Sequence, residues 1–213
     1  MKLISPKFTQ PPQPFVQDAE NFAFEEERTE GRMLTKQRLA GRRFTNGSFY
    51  ECIFSSCDLS ETVWRGCDFA DTVFESCNLS GADMTKSAFR RVRFLSCKGV
   101  GTDFSESSLK DVLLEKDLLT YANFNAVRFH SAVFRECELS SADVALCLLK
   151  DTAFEKCTMR RTNFFKTMLK GIDLRDSDIA GAVFSSSLAE LKGTKINLIQ
   201  AAALLKAMGI DAQ

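Results

Sequence analysis

The chain is poor in the residues that build most catalytic centres. Its 213 residues hold one histidine, one tryptophan and two tyrosines. The single histidine, His130, has no Ser, Cys or carboxylate constellation around it, so nothing marks it as a general base. No Cys-x-x-Cys pair or Cys/His cluster is present, which removes the usual zinc and redox signatures. Neither sign of charge is in excess, with 28 acidic and 28 basic residues, so no basic or acidic tail suggests direct nucleic-acid contact. No apolar run reaches the ~18 residues of a membrane span. The N-terminal stretch MKLISPKFTQPPQPF has no apolar core of signal-peptide length. These absences read as a cytoplasmic protein that is not an enzyme and carries no cofactor or metal. Proline is confined to Pro6–Pro14, a stretch that reads as extended, polyproline-like chain.

What is abundant is phenylalanine, and it is periodic. From Leu39 to Phe184 every fifth residue is large and apolar, thirty steps broken only at Gly99. The residue two places before each step is nearly always small, and all eight cysteines stand there. A residue type confined to one phase of a repeat reads as a small buried filler rather than as a disulfide or metal ligand. A period of five is neither the 3.6 of a helix nor the 2 of a flat strand. Sustained this long, it predicts a solenoid.

A longer period of twenty lies within it. Every fourth large residue, Leu39, Leu59, Leu79, then Leu119, Leu139, Met159 and Ile179, is never aromatic, whereas the other three columns are mostly phenylalanine. The chain thus returns to the same surroundings every twenty residues, with four sides per coil. Charges twenty apart alternate in sign at Glu115, Arg135, Glu155 and Arg175, and oppositely at Lys116, Glu136, Lys156 and Asp176. Stacked coils about 4.8 Å apart would place them in register.

The units Ala82-Asp83-Met84, Ala122-Asn123-Phe124 and Ala142-Asp143-Val144 resemble the A(D/N)Lxx motif of pentapeptide repeat proteins. That resemblance implies an all-β fold, a right-handed quadrilateral β-helix, with a C-terminal capping α-helix. Three segments are expected: an N-terminal arm and cap at 1–38, the β-helix at 39–186, and a C-terminal helix for capping and dimerisation at 187–213. Phe8, Phe15, Phe22 and Phe24 could anchor the arm over the first coil, and Glu25-Glu26-Glu27 reads as a solvated turn or short helix.

At the C-terminus, Asn197 with Gln200 forms a capping-box pattern, and Gly209 supplies a left-handed stop. The helix between them is apolar nearly all round, more than one packing stripe needs. We therefore expect a homodimer through Leu198, Ile199, Ala202, Leu205, Met208 and Ile210.

Mid-chain, Gly99 empties a leucine slot and Asp117 replaces a column cysteine one coil later. This predicts a local bulge or kink, with Asp117 bonded to backbone amides, or a recognition patch formed with Tyr121.

The overall layout is similar to Qnr and MfpA-like members, above all the loop-less Gram-positive Qnr type. Shared features are a proline-containing arm, about thirty unbroken repeats, and a helix ending in Ala207-Met208-Gly209-Ile210. The resemblance implies binding to type II topoisomerase, DNA gyrase in particular, by mimicry of duplex DNA, and protection from quinolones. The coil departs from that pattern in carrying 20 acids and 19 bases. Its best acidic row is Asp83, Asp103, Asn123, Asp143, Asn163, whose side chains also serve to bond turn backbone. The alternative is a scaffold that binds another cytosolic protein through the Gly99–Asp117 face.

Overall fold

The computed structural model describes residues 3–14, 28–207 and 209–210. Phe15, Phe22, Phe24, the Glu25–Glu27 run and Met208 lie outside the described residues.

Large residues at five-residue spacing all point inward because the backbone turns at each corner. From Lys36 to Gly171 each corner uses a left-handed residue, and most are not glycine: Asp71, Arg91, Asp111 and Ser131 have φ of 54, 56, 57 and 55°. Left-handed geometry costs an ordinary residue roughly 1–2 kcal/mol, so these corners persist only through the pairing around them. That pairing is parallel and steps by one coil on all four sides. Phe49 pairs with Phe69 and Phe54 with Phe74; the other two sides pair at Asp58↔Asn78 and Val63↔Asp83. The longest strands, Ser108–Glu115, Arg128–Arg135 and Leu148–Glu155, run through a corner and cover two sides each. The body is thus the expected four-sided β-helix.

The interior is a ladder of rings. Phe49, Phe69 and Phe89 stack at 5.2 and 5.0 Å, and Phe54, Phe74 and Phe94 at 4.9 Å per step. Trp64 is fully buried, and its indole N–H donates to Thr62 Oγ1 at 2.6 Å. The small residues form a second ladder. Most of their hydroxyls and thiols donate to a backbone carbonyl of the coil before: Cys67 to Phe44, Ser87 to Trp64, Thr102 to Leu79 and Cys137 to Leu114, at 2.7, 2.8, 2.8 and 3.3 Å. The eight cysteines are therefore more than fillers, since they are buried donors. All are free thiols, and burial pushes Cys67 and Cys147 up to about 12.

The ladder begins before Leu39. Thr29 pairs with Phe49, Arg32–Thr35 pairs with Ile53–Ser55, and Leu34 is completely buried in the five-residue phase. Gln13–Pro14 adds one more short strand on top of Arg32 and Met33, which covers the exposed edge of the first coil.

No bulge forms at Gly99. Lys98 pairs with Leu118 in register, and Gly99 donates to the Leu118 carbonyl at 2.8 Å. The leucine slot is filled from the next coil: a Cβ on Gly99 would lie 2.9 Å from Leu119 Cδ2 and 3.0 Å from Thr102 Oγ1. The charge ladder forms in part. Arg135 bridges Glu115 at 3.1 Å and Glu155 at 2.8 Å, whereas Arg175 pairs with its neighbour Asp173. Among the described residues the Lys116–Asp176 series makes no ion pair.

Candidate interaction surfaces

A coil packed with side chains leaves chemistry only on its sides and ends. Among the described residues, no group of three or more His, Cys, Asp or Glu side chains could hold a metal ion, and no helix is long and apolar enough to cross a membrane.

The acidic row comes together as a stack. Asp83, Asp103, Asn123, Asp143 and Asn163 pair in sequence from coil to coil. Each spends one oxygen on its own turn: Asp83 accepts from Thr85 N–H, Asp103 from Ser105 and Asp143 from Ala145, at 3.1, 2.8 and 2.9 Å. Burial raises the pKa of Asp83, but the Thr85 hydroxyl and amide and the Arg65 guanidinium outweigh it and hold the carboxyl below its ordinary value. Arg65 sits 2.9 Å from Asp83, so the row is partly neutralised at its first member.

Gly99 and Asp117 are buried in adjacent coils and Tyr121 is exposed, so the three do not form one outer patch. Asp117 is inside the coil, 2% exposed, whereas Tyr121 is 64% exposed on an outer corner that glycine occupies at 81 and 101. Asp117 Oδ1 accepts the Cys97 N–H at 2.7 Å, and Oδ2 has no partner. Burial pushes this carboxyl up to about 7 against the pull of nearby amides, with Glu115 adding to the rise.

The N-terminal arm is clasped against a corner column. Thr9 donates its N–H and hydroxyl to Glu51 at 2.7 and 2.8 Å, and Lys7 N–H donates to Asp71 at 2.8 Å. Arg93 donates to the Ile4 carbonyl at 3.0 Å. Asp71 also forms a two-pronged pair with Arg91. Burial alone would raise the Asp71 pKa; the Arg91 bonds and the Lys7 amide bring it below the ordinary range. The periodic pattern hides these contacts, because each partner falls in an outward place that any polar residue could fill.

The C-terminal end is closed by segment 185–197. Glu190 is buried in the 3-10 turn Ala189–Leu191 and accepts from Lys166 N–H at 2.9 Å and from the Ser185 hydroxyl at 2.7 Å. The capping box forms: Asn197 and Gln200 exchange backbone-to-side-chain bonds at 2.8 and 2.9 Å. Gln200 does more, donating from Nε2 to the Leu174 and Ser177 carbonyls at 2.8 and 2.7 Å. Helix α1, Leu198–Ala207, is thereby pinned to the last coil beside a groove of about 350 Å³. Its free face is apolar, with Leu198 88% and Ile199 82% exposed; Ala202, Leu205 and Ile210 are exposed as well. A separate group of exposed apolar residues, Leu146, Leu148, Phe165 and Met168, lies on the coil itself. Comparing each column with its own earlier members would have found it.

The family described as pentapeptide repeat region matches residues 47–124 and 117–184. No curated protein matches in sequence. Among solved structures, a trypsin-treated variant of QnrB1, a plasmid-mediated fluoroquinolone resistance protein, is 23% identical with a TM-score of 0.45, over 87% of this chain and 97% of that one. HetL, a pentapeptide repeat protein involved in heterocyst differentiation regulation from the cyanobacterium Nostoc sp. strain PCC 7120, is 15% identical with a TM-score of 0.32, over 80% and 87%. A pentapeptide repeat protein from the Arabidopsis thaliana thylakoid lumen is 18% identical with a TM-score of 0.40, over 49% and 69%.

Proposed function

The chain belongs to the pentapeptide repeat family, and on that premise we propose that it is a cytoplasmic binding protein and not an enzyme. Its partner is a type II topoisomerase, DNA gyrase in particular, which it protects from quinolones. The observation that carries this reading is the row Asp83, Asp103, Asn123, Asp143, Asn163, stacked in register along one side of a rigid rod. Groups at strand spacing on a filled coil keep their positions, and a groove built for phosphate charge attracts a line of carboxylates. The Qnr-like layout of arm, uninterrupted coil and terminal helix supports the same partner. Eight buried, unpaired thiols agree with a reducing compartment.

The test is a supercoiling assay with purified gyrase and ciprofloxacin, titrating the protein. Supercoiling is expected to return in the presence of the drug, and the Asp83→Asn, Asp103→Asn, Asp143→Asn triple variant is expected to lose that effect. Neither rescue nor inhibition at micromolar protein would retire the topoisomerase reading.

A second reading, a scaffold for a different cytosolic protein, is favoured by one observation. The coil's charges nearly cancel, and Arg65 already neutralises Asp83. In either case we propose that the active species is a dimer joined by the apolar face of α1 about a two-fold axis.

A further inference from the structure

The columns of this coil carry their own control for what the fold requires. On one outward column the chain places Ser48, Asp68, Ala88, Ser108 and Arg128, and then Leu148 and Met168. The corner column runs Asn46, Gly66, Lys86, Glu106 and Ala126 before Leu146. Beside it, Thr85, Ser105, Asn125 and Ala145 are followed by Phe165. Small or polar side chains satisfy these places in the earlier coils, so the large apolar ones in the last two serve something outside the fold.

These four residues share one surface. Leu146 N–H donates to the Phe165 carbonyl at 3.0 Å, and Cys147 N–H donates to Thr167 Oγ1 at 2.9 Å, which sets Leu148 beside Met168. Leu148 is 67% exposed, Met168 51%, Leu146 48% and Phe165 40%. Soluble proteins rarely leave such residues contiguous and bare without a use.

The rim is cationic. Arg128 pairs in register with Leu148, and Lys150 follows it one inward residue later. Lys170 stands in the same relation to Met168, and Lys166 lies 5.1 Å over the Phe165 ring. Some cations of the coil are bound to carboxylates, as at Arg65, Arg91, Arg135 and Arg160, and others, such as Lys116 and Lys156, are not. Among the described residues, Arg128, Lys150, Lys166 and Lys170 make no such pair. Three acids border the surface, one of them Glu190, which is buried and accepts the Lys166 N–H. Asp143 has one oxygen held by the Ala145 N–H and the Asn163 amide. Asp151 stands at the corner beyond Lys150. Of the two places where α1 is anchored, Leu174 is one corner, at Gly171, around the coil from Met168, and Ser177 lies on the side after that.

We propose that this face docks a protein partner that presents an aliphatic or aromatic anchor ringed by Asp and Glu. Unpaired cations around an apolar centre are complementary to that chemistry and would steer its approach. A flat side of a paired β-coil has no protruding element to enter a bilayer, which disfavours a lipid occupant. The surface meets the acidic row at Asp143 and Asn163, but its apolar anchors and its cations are not members of that row, so its test does not depend on the topoisomerase reading.

A random peptide library displayed on phage, panned against the full chain, tests the proposal. Enriched peptides are expected to flank Leu, Phe, Trp or Met with Asp or Glu. A fluorescein-labelled enriched peptide should bind about tenfold more weakly to the Leu148→Ser, Met168→Ser variant and to the Lys150→Glu, Lys170→Glu variant, and more weakly as salt rises. Serine already stands in this column at 48 and 108, and the charge-reversal pair changes exposed residues only, so one variant remains informative if the other misfolds. The proposal is overturned by no enrichment, by enrichment without acids, or by affinity that neither variant changes. Binding of phosphatidylglycerol vesicles through these residues, with no peptide enriched, overturns it too.

Discussion

Asp117 and Cys97 face each other across adjacent coils: the Cys97 N–H donates to Asp117 Oδ1 at 2.7 Å, while Oδ2 is buried without a partner. At the places where this column carries cysteine, the side chain supplies a donor. A protonated Asp117 restores one; an ionised Asp117 leaves a charge unsatisfied inside the coil.

Stability should therefore fall as pH rises. The native pKa of about 7 lies above the unfolded value of about 3.9. Below about pH 3.9 both states hold the proton. Between the two values only the native state does, so stability drops by roughly 1.4 kcal/mol per pH unit and levels off above pH 7. Asp117→Asn keeps the acceptor and adds a donor. Denaturant melts of both proteins from pH 4 to 8 should show the difference between them growing in favour of Asn with pH; a constant difference would refute the assignment.

Gly99→Leu should destabilise, although leucine is what the column elsewhere carries. The new Cβ meets Leu119 Cδ2 and Thr102 Oγ1, and overpacking costs about 1–3 kcal/mol. Adding Leu119→Ala should recover part of the loss in a double-mutant cycle, because the two side chains compete for one space.

The arm is held by charge. Arg91→Ala leaves Asp71 with the Lys7 amide alone and should cost on the order of 2 kcal/mol. Limited proteolysis should then cut within residues 3–14 faster than in the parent chain. Acid should act in the same direction, since the depressed Asp71 pKa contributes stability that is present above about pH 3.9 and lost below it. Equal cleavage rates would show that the short strand at Gln13–Pro14 suffices.

Gln200→Ala removes half of the capping box and both bonds to the Leu174 and Ser177 carbonyls. The Leu174 carbonyl keeps the Ser177 N–H, so one unsatisfied carbonyl, that of Ser177, and a lost cap should together cost about 2–3 kcal/mol. Amide exchange in Leu198–Ala207 should accelerate while exchange in the central coils stays slow.

Replacing Leu198 and Ile199, both more than 80% exposed, with aspartate should convert the proposed dimer to monomer without lowering the melting temperature of the coil. Light scattering at micromolar concentration reads this directly, and a parent chain that is already monomeric would defeat the dimer.

The coil was legible in the sequence because one apolar step of five repeats with a single gap, and a phase lock that long admits few other folds. The capping box was legible because Asn197 and Gln200 are local. The start of the ladder was not: Leu34 keeps the phase, but polar neighbours such as Arg32 and Thr35 obscure it, and its pairing to Ile53–Ser55 depends on residues a full coil away. Gly99 misled for a related reason. A missing side chain signals a defect in one dimension, whereas in three the vacancy is taken by Leu119. The acidic row was read correctly as a stack, yet its hydrogen bonds to turn amides are equally what the fold demands, so its charge alone does not identify a partner.

The small-residue ladder ties each coil only to the one before it, through bonds such as Ser87 to Trp64 and Thr102 to Leu79. A segment of twenty residues duplicated or removed between two equivalent corners therefore leaves every remaining side chain in surroundings of the same kind. The separation between the clasped arm and the terminal helix is in consequence a length that gene duplication can reset in increments of one strand spacing, about 4.8 Å, while the surfaces at either end stay as they are.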